Sequence, residues 1–167
     1  MSGAEERQHN SIYVCYDHEA YMNTGVQRSS ATPTGAVTTT TPVIPKEQPK
    51  KDFIQIMEAH HPAYLATTCS SYPGDLYNKF LKAKDIKGTR FVHLAIPCPP
   101  GWGYATKDTI KIGRLAVETA VVTLYEVDMD ELMKDEQMLD KITALGEMNN
   151  VQDAMEKMKN IPGLKAE

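Results

Sequence analysis

Apolar residues in this chain fall into short blocks separated by polar punctuation, and the spacing inside each block predicts its structure. Ser11 to Tyr16 is rich in β-branched and aromatic residues and stops abruptly at Asp17, the pattern of a buried strand. Residues 24–49 are dense in Thr, Ser, Pro and Gly, with Thr38-Thr39-Thr40-Thr41-Pro42 at the centre. That stretch holds too little apolar material to bury and reads as a long loop, of a length that is often functional or disordered. At Asp52 regular structure resumes. Phe53, Ile56 and Met57 follow helical spacing behind Asp52 as a cap, and His60-His61-Pro62 closes the element. Ala63 to Thr68 reads as a second strand. Leu76, Phe80 and Leu81 mark one face of the next helix, ended by Gly88. Arg90 to Ile96 is a third strand. Thr106 to Thr119 reads as a helix with Ile110, Leu115 and Val117 apolar, and Val121 to Val127 as a last strand. Strands alternating with helices predict an α/β fold with a parallel sheet and crossover helices.

From Asp128 the character changes. Asp130, Glu131, Asp135, Glu136 and Asp140 alternate with Leu132, Met133, Met138, Leu139, Ile142 and Leu145, which predicts an acidic amphipathic helix. Residues 151–159 predict another. Two parts are therefore expected, an α/β domain over 1–127 and an acidic, Met-rich helical tail over 128–167. A methionine stripe of this kind is a packing face more often than a cofactor box.

Composition narrows the function classes. The 167 residues suffice for one domain, and the formal charge of −4 with no long basic run argues against nucleic acid as a partner. No run of about 18 apolar residues is present, so no membrane span is expected. Met1 to Arg7 lacks the basic-then-apolar pattern of a signal peptide, and three widely spaced cysteines make no disulfide framework. A reducing cytoplasm is the expected compartment.

Two segments carry the chemistry. One is Asp17-His18-Glu19-Ala20-Tyr21-Met22-Asn23-Thr24-Gly25-Val26-Gln27-Arg28-Ser29-Ser30, placed directly after the first strand, where ligands of open parallel sheets sit. The other is Pro97-Cys98-Pro99-Pro100-Gly101-Trp102-Gly103-Tyr104, after the third. By spacing alone the first is a polar turn. Together they resemble the beta subunit of pyruvate (2-oxoacid):ferredoxin oxidoreductase, over about Ser2 to Val127 and in its C-terminal half. The fold implied is the C-terminal part of a thiamine diphosphate-binding fold.

The resemblance implies a set of roles. Asp17, His18, Ala20, Asn23, Thr24 and Gly25 would line the diphosphate end of thiamine diphosphate, with Asn23 also near the substrate as a catalytic residue. His18 by its side chain and Ala20 by its backbone carbonyl would ligate Mg2+. Gln27, Arg28 and Thr34 would face the substrate's carboxylate, a task suited to hydroxyls and an Arg. Cys98 would be one thiolate ligand of a [4Fe-4S] cluster, held rigidly between prolines that fix the backbone and remove N–H donors. At the position of His18 the family carries an oxygen ligand, and imidazole nitrogen suits magnesium poorly. Cys15 and Cys69, inside strands, read as core. His9, His60, His61 and His93 show no metal-ligand spacing and read as surface or strand-end residues.

The family's Gly-Asp-Gly motif, which supplies the main magnesium carboxylate, is not in these 167 residues. The isolated chain is therefore expected to be inactive and to depend on other subunits. Within their complex it would take part in oxidative decarboxylation of a 2-oxoacid, pyruvate foremost, to acyl-CoA and carbon dioxide, with coenzyme A and ferredoxin as further partners. Two other readings stand beside it. One is a non-catalytic remnant or assembly protein that keeps the fold without cofactor. The other is a thiamine-dependent decarboxylase without clusters, against which Cys98 argues.

Overall fold

The computed structural model describes residues 2–7 and 9–129, so both helices expected in the tail lie outside the described residues. In chain order the elements are α1 (Ser2–Glu6), β1 (Ser11–Asp17), α2 (Phe53–Glu58), β2 (Tyr64–Cys69), α3 (Pro73–Asp85), β3 (Thr89–Ala95), α4 (Pro99–Trp102), α5 (Thr109–Glu118) and β4 (Glu126–Asp128). A 3-10 turn over Thr106–Asp108 leads into α5.

The strands form one sheet of order β1-β3-β2-β4. β1, β3 and β2 run parallel, as expected. β4 differs from expectation in direction and extent, pairing antiparallel with β2 over Glu126–Asp128 only. The short extent goes with one side chain. The Thr67 hydroxyl donates to the Thr123 carbonyl (2.5 Å) and accepts from the Tyr125 amide (2.9 Å). It thereby takes up backbone groups that a ladder would have used. An antiparallel edge on a parallel sheet is a common arrangement.

The register puts Tyr13, Cys15 and Asp17 of β1 level with Phe91, His93 and Ala95 of β3, and Leu65, Thr67 and Cys69 of β2 level with the same three. Because side chains alternate along a strand, this whole set shares one face. Helix α2 covers part of it. Met57, Leu65 and Phe91 form a buried cluster with Cys15, Phe53 and Ile54 against it, and the Phe53 and Phe91 rings meet edge-to-face at 5.4 Å. Ile54 takes the place expected of Ile56, which is exposed. Asp52 caps the helix as predicted, its carboxylate accepting from the Gln55 amide at 3.0 Å.

On the opposite face Tyr64, Ala66 and Ala83 of α3 pack together. Leu81 is exposed, and the buried positions of α3 are Lys79 and Ala83. Lys79 is satisfied there by Asp75 (2.7 Å) and the Thr67 carbonyl (2.8 Å). The Tyr64 hydroxyl donates to Glu126 at 2.5 Å, and burial pushes its pKa far above the ordinary tyrosine value.

Helix α5 approaches the sheet at its glycine. Gly113 is buried while Ile110 and Leu115, expected to pack, are exposed. A Cβ at Gly113 would meet Ser71 Oγ at 2.0 Å and its Cβ at 2.8 Å. In an open helix interior Ala is favoured over Gly by about 1 kcal/mol. Here Gly113→Ala should instead cost about 1–3 kcal/mol through overpacking. Urea unfolding of the full chain reads the sign, and a stabilised variant would contradict the packing of α5.

Candidate functional site

β1 and β3 end side by side, and the segments leaving their carboxyl ends are tied to each other. The Ile96 amide donates to the Asp17 carbonyl at 3.0 Å. The His18 ring donates from Nδ1 to the Ile96 carbonyl at 2.9 Å, across 78 positions of sequence. A carbonyl only accepts, so Nδ1 carries the proton, and in the neutral ring Nε2 presents its lone pair. The Trp102 indole N–H in turn donates to the His18 carbonyl at 3.1 Å. Two segments far apart in sequence are thus one structural unit.

Asp17 organises the first of them. Oδ1 accepts from the Glu19 amide at 2.7 Å, and Oδ2 accepts from His93 Nε2 at 3.0 Å with the Lys50 ammonium 3.8 Å away. Burial alone would raise the Asp17 carboxyl, but His93, the Glu19 amide and Lys50 outweigh it and hold the pKa below the ordinary value. Glu19 adopts a left-handed backbone with φ of 66°, uncommon for a side chain of its size. Its amide bonds Asp17, its carbonyl accepts from the Thr32 hydroxyl at 2.6 Å, and its carboxylate pairs with Lys50 at 2.6 Å. Those bonds hold the strained residue in place.

The long segment 24–49 has no helix or strand, as expected, yet it is bound together from within. Lys46 is buried, its ammonium donating to the carbonyls of Ser30 (3.1 Å), Thr32 and Pro49 (3.3 Å). Its own amide bonds the Ala36 carbonyl at 3.1 Å. Lys46 gathers the loop onto itself, and Lys50 pins the gathered loop to Asp17 and Glu19.

Asn23, Thr24 and Gly25 sit exposed on the turn that Tyr21 and Gln27 close by paired backbone bonds of 3.0 and 3.1 Å. Gln27 bonds back to the Thr24 carbonyl at 2.7 Å. Arg28 and Thr34 both reach Gln48, the guanidinium at its side chain (2.5 Å) and the hydroxyl at its carbonyl (3.2 Å). Arg28 lines a hollow among residues 40–48, not the space beside Asp17. Asp17, His18 and Ala20 line a cavity of about 680 Å3 with Lys50, Thr67 and His93. His18 also borders an apolar cavity of about 290 Å3 with Ile96, Trp102 and Tyr104.

Cys98 is a free, half-buried thiol at the N-cap of α4, whose first residue is Pro99. A Cβ at Gly101 would meet the Met22 thioether sulfur at 2.2 Å and Cys98 Sγ at 3.3 Å. The end of the Met22 side chain therefore packs against Gly101, so the asparagine turn and the cysteine segment are in contact.

The sequence model described as the thiamine pyrophosphate enzyme C-terminal TPP binding domain matches residues 1–94. The chain belongs to the thiamine pyrophosphate enzyme family. Pyruvate synthase subunit PorB of Methanocaldococcus jannaschii is 52% identical over 135 residues, 78% of this chain and 45% of that one. Ketoisovalerate oxidoreductase subunit VorB of Pyrococcus abyssi is 48% identical over 132 residues, 77% of this chain and 42% of its own. The chain thus spans less than half the length of these two relatives. A solved 2-oxoglutarate:ferredoxin oxidoreductase from Magnetococcus marinus, with 2-oxoglutarate, coenzyme A and succinyl-CoA bound, superposes with a TM-score of 0.58. It covers 68% of this chain and 38% of that chain at 21% identity, which supports the α/β fold. Among the described residues no helix is long and apolar enough to cross a membrane.

This family member holds its site with residues that sequence reading passed over. His93, expected at the surface or at a strand end, lies near the end of β3 as a half-buried partner of Asp17. The signal for it is register: His93 and Asp17 share a face once β1 and β3 are aligned. Cys69 is fully buried as expected, whereas Cys15 is only half-buried. Lys46 and Lys50 carried no spacing signal, because one bonds main-chain carbonyls and the other reaches Asp17 and Glu19 from the far end of the loop. Trp102 stood in the cysteine motif, but its bond to a main-chain carbonyl left no mark in the sequence. The depressed Asp17 pKa gives a signed prediction. Its stabilising contribution is complete above the unfolded carboxyl value of 3.8 and is lost as pH falls through the lowered folded value. Asp17→Asn should cost about 1–3 kcal/mol at neutral pH. Measured by urea unfolding, the gap to the parent should close in acid below that value; a pH-independent gap would contradict the pairing.

Proposed function

We propose that this chain is the C-terminal half of the thiamine-binding part of a 2-oxoacid:ferredoxin oxidoreductase, completed by residues outside this sequence. The observation that carries the reading is the joining of the two segments through His18, Ile96 and Trp102, with Met22 packed against Gly101. A cofactor held by one segment would be next to an electron acceptor held by the other. The matched relatives, a pyruvate synthase subunit and a ketoisovalerate oxidoreductase subunit, support the same class.

Bound thiamine diphosphate supplies the carbanion chemistry that releases carbon dioxide from a 2-oxoacid. The chain's own residues prepare the place. Ala20 and His18 would hold the metal end, and Thr24 and Gly25 the diphosphate. Asn23, exposed on its turn, would act on the substrate as the catalytic residue. Gln27, Arg28 and Thr34 lie on the adjoining loop that would meet the substrate's carboxylate. Cys98 is one thiolate ligand of a [4Fe-4S] cluster, the others coming from outside these residues. The overall reaction would turn the 2-oxoacid and coenzyme A into acyl-CoA, carbon dioxide, a proton and two electrons, which the cluster would relay one at a time to ferredoxin. Pyruvate is the leading substrate. These 167 residues by themselves are inactive.

Cys98→Ser in the complex, purified anaerobically, should remove the iron of one cluster while leaving bound thiamine diphosphate in place. Iron and thiamine assays on the same sample check it. An unchanged iron count would overturn the ligand role of Cys98. A complex without iron or thiamine in the parent would favour the assembly-protein reading.

A further inference from the structure

Magnesium binds hard oxygen atoms in a near-octahedral shell at about 2.0–2.1 Å. The two positions that the family resemblance gives to the metal are here the backbone carbonyl of Ala20 and the imidazole of His18, and both residues line the cavity beside β1. The ring is held, not free to turn aside. Nδ1 donates to the Ile96 carbonyl at 2.9 Å, and the residue's own carbonyl is taken by the Trp102 indole. Nε2 has no hydrogen-bond partner among the described residues, and the neutral ring leaves its lone pair there. A histidine whose other nitrogen is fixed on a carbonyl is in the arrangement in which imidazole ligates metals.

No nearby oxygen takes its place. The Asp17 carboxylate is engaged by the Glu19 amide, His93 and Lys50. Glu19 is paired with Lys50 at 2.6 Å. Among the described residues no group of three or more His, Cys, Asp or Glu is placed to hold a metal. The remaining ligands would be diphosphate oxygens, water and groups outside these residues. A mixed nitrogen and oxygen site of this kind favours first-row transition ions over magnesium.

We propose that the metal position at the end of β1 takes a divalent transition ion through His18 Nε2, in preference to magnesium. The inference rests on the proposed function, because the ion would bridge this chain to the cofactor's diphosphate.

The test uses the complex as isolated anaerobically, stripped by chelator and reloaded with thiamine diphosphate and an equimolar mixture of Mg2+ and Co2+. Bound metal is counted by mass spectrometry of the elements, and thiamine by a separate fluorescence assay. The parent should retain Co2+ over Mg2+, and His18→Asn should lower that ratio about tenfold or more, the scale on which losing one metal-site contact shows in affinity. With Mn2+ as probe, spin-echo modulation should show imidazole nitrogen coupling in the parent and none in the variant. Parent protein that holds thiamine diphosphate but gives equal metal ratios in both forms and no nitrogen coupling overturns the inference alone. Parent protein without thiamine diphosphate overturns the proposed function and the inference with it. Should His18→Asn fail to assemble, the coupling in the parent still decides.

Discussion

A single half-buried carboxylate, that of Asp17, sets the geometry of everything at the carboxyl end of the sheet. It closes β1, faces His93 on the neighbouring strand, receives the Glu19 amide and attracts Lys50 from the far end of the loop. Each contact fixes a different element: the strand pair, the left-handed turn and the long segment beyond it. A one-residue slip between β1 and β3 would send Asp17 and His93 to opposite faces and release all of them at once. The cost of burying the charge is offset because hydrogen bonds and an ion pair meet it from several sides.

Most of the fold was legible because burial and periodicity agree where the sheet is central. Every residue of β2 is buried, so its apolar run could hardly mislead. The reading failed at the margins. Val121 to Tyr125 has strand composition, yet Thr67 captures its backbone with a hydroxyl, an interaction no window of sequence contains. Leu81, Ile110 and Leu115 are apolar in helical phase and still face outward. The packing faces are set by Ala83 and Gly113, small residues that permit close approach and carry little hydrophobic signal.

The site divides in the same way. Its motif residues stand out as a run after a strand, and Cys98 stands out between prolines. The groups that hold them do not. Trp102 acts through one indole N–H on a backbone carbonyl, and Gly101 acts by having no Cβ where Met22 lies. The loop over 24–49 looked structureless because its order comes from a lysine bonded to main-chain carbonyls, independent of the identity of the residues that supply them. His18 could be singled out as a departure in donor type, but only the structure shows which nitrogen is left to donate.

Under the proposed function, the Asp17 and Cys98 segments serve a larger assembly that carries the cofactors. The most direct measurement is an intact mass spectrum of the complex isolated anaerobically from its native cells. The account predicts partner chains together with the masses of thiamine diphosphate and iron–sulfur clusters. A lone, cofactor-free chain of 18.6 kDa would contradict it.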